Sequence, residues 1–93
     1  MQLLISPKFQ KQWRAILDFF VKRNGTTSYS RKLDDELKRL LKQIKNDPEP
    51  GEKTTRRGVR RRIFENYAVF YRVRRTNIEI VSVIDMRRNI PLR

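Results

Sequence analysis

The hydrophobic pattern of this chain changes period once, and the change falls on a segment rich in proline. Before Asn46 the apolar residues recur at helical spacing, and after Thr55 they alternate every second residue. Between them Asn46-Asp47-Pro48-Glu49-Pro50-Gly51 stops a helix and opens a polar linker running to about Thr55. A chain with this punctuation makes helices first and a sheet second, and each must bury its apolar side on the other.

Residues 2–5 (Gln-Leu-Leu-Ile) read as a short strand. Ser6-Pro7 then supplies an N-cap hydroxyl and a proline at the first helical position, where its missing N–H does no harm. Phe9, Trp13, Ile16, Leu17 and Phe20 form one stripe of a helix over about 8–23, ended by Asn24-Gly25. A second helix, about 27–46, starts near Thr26–Ser28 with the stripe Tyr29, Leu33, Leu37, Leu40, Leu41 and Ile44. Its acidic residues lie early and its basic ones late, which complements the helix dipole and predicts the pairs Asp34–Lys38 and Asp35–Arg39. Strands are expected over 58–64, 66–74 and 77–84, joined by the short turns Glu65-Asn66 and Arg75-Thr76. The last strand is apolar on both faces, with Ile78, Ile80 and Ile84 against Val81 and Val83, and so belongs inside the sheet. The expected fold is α+β, in the order β-α-α-β-β-β, an antiparallel helical hairpin on an antiparallel sheet. Residues 1–93 suffice for one domain of that kind.

Composition restricts the chemistry. Cysteine and histidine are both absent, which excludes thiolate and imidazole metal sites, Ser-His-Asp triads and Cys-His dyads. No cofactor or metal is expected. Any catalysis must come from Arg, Lys, Tyr, Glu and Asp. The net charge is +13, of which residues 53–93 carry 12 basic and 3 acidic side chains. A field so lopsided suits a polyanion: nucleic acid, a ribosome or an acidic protein segment. No membrane partner is expected, because neither helix joins a basic face to a lipid-seeking one. No signal peptide is visible at the start, so the expected compartment is the cytoplasm.

Alternation places Arg60, Arg62 and Phe64 on one face of their strand, and Ala68, Phe70, Arg72 and Arg74 on one face of the next. The opposite face of the latter strand (Tyr67, Val69, Tyr71, Val73) is more apolar and should meet the helices. If the two arginine faces coincide, the open side of the sheet is basic with Phe64 and Phe70 interleaved. That would suit single-stranded nucleic acid, through phosphate neutralisation and base stacking. The expected nucleic-acid contacts are Lys53, Arg56, Arg57, Arg72, Arg74, Arg88, Phe64 and Phe70. The competing explanation is protection of exposed strand edges by charge.

Several short motifs in order resemble the RelE/ParE toxins of bacterial type II toxin–antitoxin systems. They are Ile5-Ser6-Pro7 before the first helix, Asp47-Pro48-x-Pro50-Gly51 after the second, Asn66-Tyr67-Ala68-Val69-Phe70-Tyr71-Arg72-Val73, and Asp85-Met86-Arg87-Arg88-Asn89 after the last strand. The resemblance covers nearly all of the chain. It implies a growth-arresting toxin silenced by an acidic cognate antitoxin, with DNA met only indirectly through the toxin–antitoxin complex.

The family divides by mechanism. RelE-type toxins cut mRNA in the ribosomal A site, which needs proton transfer and stabilisation of extra negative charge. By resemblance Arg60, Arg62 and Arg87 match basic positions of that active surface. Glu65, Tyr67, Tyr71 and Asp85 are the substitutes available for acid–base work, each also explained as a turn residue, a core aromatic or a strand terminator, and Tyr71 is the candidate taken with the arginines. Ala68 stands where RelE has an arginine, and the tail Asn89-Ile90-Pro91-Leu92-Arg93 lacks the expected tyrosine or histidine. ParE-type toxins poison DNA gyrase and need no nuclease site. Charge favours the ribosome and mRNA, so a ribosome-dependent endoribonuclease is the first expectation. The long helical hairpin and the missing RelE residues favour gyrase. A third possibility is a non-toxic basic module that binds nucleic acid or an antitoxin.

Overall fold

A computed structural model describes residues 1–89, with the side chains of Arg88 and Asn89 and all of residues 90–93 outside that description. The elements are β1 (Gln2–Ile5), α1 (Pro7–Asn24), α2 (Ser28–Asn46), β2 (Glu52–Lys53), β3 (Val59–Phe64), β4 (Tyr67–Val73), β5 (Asn77–Asp85) and α3 (Met86–Asn89). Both long helices and the three long strands lie where the periodicities put them. The two-residue β2 falls inside the stretch that composition reads as linker. The five strands form one sheet in the order β1-β5-β4-β3-β2. It is antiparallel except where β1 joins β5 in parallel, pairing Gln2 with Asn77 and Ile5 with Ile80. The sheet is therefore mixed rather than wholly antiparallel.

Ser6 caps α1 as its side chain predicts, accepting the Phe9 N–H at 3.0 Å, and it also donates to the Val81 carbonyl at 2.8 Å. Gly25 ends the helix at φ 72°, a left-handed conformation that glycine adopts without steric cost. The start of α2 differs from expectation, since Thr27 is the cap residue but its side chain makes no capping bond. Ser30 instead donates to the Leu17 carbonyl at 2.7 Å, stitching the two helices together. Asp34 forms the expected pair with Lys38 at 3.1 Å and also accepts the Trp13 indole N–H at 2.9 Å. Asp35 and Arg39 form no pair, which fits two exposed side chains whose pairing would gain little in water.

The core lies between the hairpin and one face of the sheet. Phe9, Trp13, Phe20, Leu33, Leu37, Leu40, Leu41 and Ile44 meet Tyr67, Val69, Tyr71, Ile78, Ile80 and Val83. Tyr29, read as the first member of the α2 stripe, is 37% exposed and only rests its ring edge-on against Phe20. In β5 the simple alternation breaks. Phe70 pairs with Ser82 and Tyr71 with Ile80, so Val81 is an extra residue in a β-bulge. The bulge shifts the phase, so that Ile78, Ile80 and Val83 all face the helices while Ile84, opposite Ala68, faces away.

Two stability outcomes follow from this packing. Leu37→Ala empties a site that is 3% exposed and should cost roughly 2–5 kcal/mol in chemical denaturation. Ser6→Ala removes a helix cap together with a bond to β5, and should cost about 1–2 kcal/mol by the same measurement. A denaturation midpoint unchanged in either variant would contradict the corresponding assignment.

Candidate functional site

The two-residue turn Glu65-Asn66 fixes which way the arginines of β3 point. It pairs Phe64 with Tyr67, and from there Arg62 with Val69 and Arg60 with Tyr71. Paired residues share a face, so Arg60, Arg62 and Phe64 stand on the helix side of the sheet. The open side carries Val59, Arg61 and Ile63 opposite Arg72, Phe70 and Ala68. The two expected arginine faces thus do not coincide. Phe64 is also not a partner of Phe70 on a stacking surface: it packs in the core, 6.0 Å from Trp13 and 5.7 Å from Tyr67 between ring centroids.

Of the four candidate catalytic side chains, two are spent on structure. Arg60 donates to the carbonyls of Glu49 and Gly51 at 3.0 and 3.1 Å and pairs with the Glu49 carboxylate at 3.2 Å. With 19% of its side chain exposed, it straps the Pro/Gly linker to the sheet. Tyr71 is fully buried, and its hydroxyl donates to the Pro48 carbonyl at 2.7 Å. A Cβ at Gly51 would run into that hydroxyl, so glycine is required there for the linker to lie so close. Burial pushes the Tyr71 pKa above its ordinary 10.0, with Arg60 and Arg62 pulling the other way. Arg62 donates to the Gln43 side chain at 2.9 Å, at the edge of a hollow between α2 and β3.

Arg87 lies elsewhere, at the far end of the β4–β5 pair. Its guanidinium is exposed and paired with Asp85 at 3.4 Å, and the hydrogen bond to Asp85 raises its pKa further. Beside it Tyr67 is buried, and among the described residues its hydroxyl has no partner that meets hydrogen-bond geometry, although Arg87 lies near enough to act on it. Burial, and then the Asp85 carboxylate, raise the Tyr67 pKa against the opposing pull of Arg87. Arg60 stands level with Tyr71 and Asp85 level with Tyr67, four residues of strand or roughly 13 Å away, and Arg87 lies beyond Asp85.

The expected nucleic-acid residues also divide. Arg74 pairs with Glu79 at 3.1 Å. Lys53, Arg56 and Arg57 are exposed around the β2–β3 connection, and Arg72 stands on the open face of β4 beside Phe70. The side chain of Arg88 lies outside the described residues. Two features of this surface escape the alternation argument. Arg61, passed over between Arg60 and Arg62, is the β3 arginine on the open face, where it pairs with Glu52 at 2.9 Å. The loop 54–58 meets the same face, and Thr54, Arg56, Val59, Phe70, Val81 and Ser82 line a basin of about 220 Å³ there. The two-residue turn was the available signal for Arg61. Among the described residues no three carboxylates gather closely enough to hold a metal ion, and no helix is long and apolar enough to cross a membrane.

Comparison with known proteins agrees with this architecture. A chain from the structure described as "Chromosomal ParDE TA system from P. aeruginosa" superposes with a TM-score of 0.81 at 21% identity, covering 91% of this chain and 95% of that one. No curated protein matches the sequence. The family model described as "ParE toxin of type II toxin-antitoxin system, parDE" matches residues 3–90. With nearly the whole chain so matched, the protein belongs to the ParE toxin family, within the RelE/ParE superfamily of type II toxins.

Proposed function

We propose that this toxin arrests growth by acting on DNA gyrase, without a nuclease site, and that an acidic antitoxin holds it silent. The observation that carries the reading is the state of Tyr71. Its hydroxyl is buried and committed to Pro48, and its pKa is raised, so it is poorly placed to exchange a proton with an RNA phosphate. Arg60 is committed to the linker in the same way, and Arg87 lies at the other end of the sheet. Phosphate cleavage needs a base, an acid and anion stabilisers converging on one phosphorus. Arg60 and Arg62 lie beside Tyr71, but its hydroxyl is committed to Pro48 and Arg87 stands at the other end of the strand pair. Membership of the ParE rather than the RelE branch supports the same target. The ribosome reading keeps only the charge in its favour, and charge is shared by every polyanion.

The lesion is the first test. Purified toxin should inhibit gyrase supercoiling and accumulate gyrase–DNA cleavage complexes, while primer extension on ribosome-bound mRNA should show no toxin-dependent cuts. mRNA cuts with unimpaired gyrase would overturn the proposal.

Tyr71→Phe separates the roles of that residue. Toxicity should persist, while stability falls by about 1–2 kcal/mol as the Pro48 carbonyl loses its donor. The pH dependence has a definite sign. Because the folded pKa of Tyr71 exceeds the unfolded 10.0, its contribution to stability is complete below pH 10 and is lost as pH rises toward the folded value. Denaturation followed against pH should show that alkaline loss lessened in Tyr71→Phe. A nuclease using Tyr71 would instead lose toxicity in this variant.

A further inference from the structure

Most arginines of the sheet are answered within the chain. Arg60 pairs with Glu49, Arg61 with Glu52, Arg74 with Glu79 and Arg87 with Asp85. Among the described residues Lys53, Arg56, Arg57 and Arg72 form no ion pair and no side-chain hydrogen bond. These four border two adjoining hollows. One is the basin of about 220 Å³ whose floor is Val59, Phe70 and Val81. The other, about 300 Å³, is lined by Lys53, Arg56, Arg57 and Gly58, and the two meet at Thr54, Arg56 and Val59. Arg72 adjoins the first, opposite Val59 in the strand pairing.

Edge protection accounts for Lys53, Arg56 and Arg57, which lie on or beside the edge strand β2, but not for Arg72. Arg72 lies on β4, the middle strand of the five, where no edge needs guarding. Arg72 forms no ion pair of its own, although Glu79, which pairs with Arg74, stands opposite it, and its guanidinium beside a half-buried Phe70 leaves cationic surface next to an aromatic floor. An acidic polypeptide answers the charge and needs a separate apolar side chain to cover the ring. A nucleotide answers both, and only an unstacked base has a face free to lie on Phe70.

We propose that this open face binds single-stranded nucleic acid, seating one base over Phe70 with neighbouring phosphates on Arg56, Arg57 and Arg72. Lys53, paired with Arg60, stands on the helix side of the sheet edge and lies outside this site. The Ser82 hydroxyl, which makes no hydrogen bond among the described residues, is available to a base edge. Duplex DNA keeps its bases stacked and gains only the charge term. The site does not depend on the gyrase reading, since it is measured on isolated toxin.

The test is fluorescence anisotropy with labelled oligothymidylate, oligouridylate of equal length and a hairpin duplex, each across a salt series. Both single strands should bind more tightly than the duplex, and any preference between them identifies DNA or RNA as the source. Phe70→Leu keeps an apolar side chain and should weaken single-strand binding about tenfold, in line with the loss of one stacked base. The double variant Arg56→Gln, Arg57→Gln alters only exposed side chains. It should reduce the slope of log affinity against log salt by roughly 1.4, about 0.7 for each phosphate no longer neutralised. Arg39→Gln with Lys42→Gln, both exposed on α2 and away from the open face, should change neither quantity. The proposal fails if that control lowers the slope as much as the Arg56/Arg57 variant, or if the duplex binds tightest. It fails equally if folded Phe70→Leu binds like the parent and polyglutamate displaces the oligonucleotide from both alike.

Discussion

The fold depends on how the first turn of α1 finishes the edge of β5. β5 has nine residues and β1 only four, so parallel pairing ends at Ile80 and the rest of that edge has no strand beside it. Helix residues take the strand's place. The Ser6 N–H donates to the Ile80 carbonyl at 3.0 Å and the Ser6 hydroxyl to Val81, while the Gln12 side chain accepts the Val83 N–H at 2.9 Å. Unmade, these backbone groups would each carry a desolvation penalty where α1 covers them. The same few bonds join residues more than seventy positions apart and hold the hairpin at a fixed angle over the sheet.

Those bonds coincide with the bulge at Val81. An unbroken β5 would place Val83 on the open side and Ile84 beneath the helices. With one residue inserted, Val83 enters the core and Ile84 leaves it. The open face therefore owes its composition to the bulge. Val81 joins the floor of the basin beside Phe70, and Ser82 is set opposite Phe70 at its side. Core packing and the make-up of the open face are two results of one irregularity.

How far the sequence discloses this differs from element to element. The helices are legible because their boundaries carry local chemistry: Ser6-Pro7 at one start, Asn24-Gly25 and the Pro48–Gly51 breaker at the ends. Strand positions follow from alternation. Which face each strand presents does not, because alternation leaves a choice of two for every strand. For β3 the missing bit was present in the turn. A two-residue connection makes Phe64 and Tyr67 a pair on one face, and the apolar Tyr67-Val69-Tyr71 side already had to meet the helices. Arg60 and Arg62 must then face the helices as well. For β5 no such signal exists, since nothing in Ile80-Val81-Ser82-Val83 announces a bulge, and the bonds that hold it come from Ser6 and Gln12. The parallel pairing of β1 is hidden for the same reason, as its partner lies at the other end of the chain.

Charge gains meaning in the same way. From composition all twenty-three basic residues look equivalent, and the net +13 points only to a polyanion. The fold sorts them. Arg60 has become a strap that holds the linker against Tyr71, and the glycine at 51 exists to let it lie there. Arg61, Arg74 and Arg87 are each matched by a carboxylate near in sequence, which lowers the field they project. What remains uncompensated on the sheet is concentrated around the loop after β2 and on the central strand. A guanidinium already hydrogen-bonded to backbone carbonyls must give up those bonds before it can hold a phosphate, whereas Arg56 or Arg72 gives up only water. The position of an arginine in the sequence motif is therefore a weaker guide to its role than whether the fold has already used its donors.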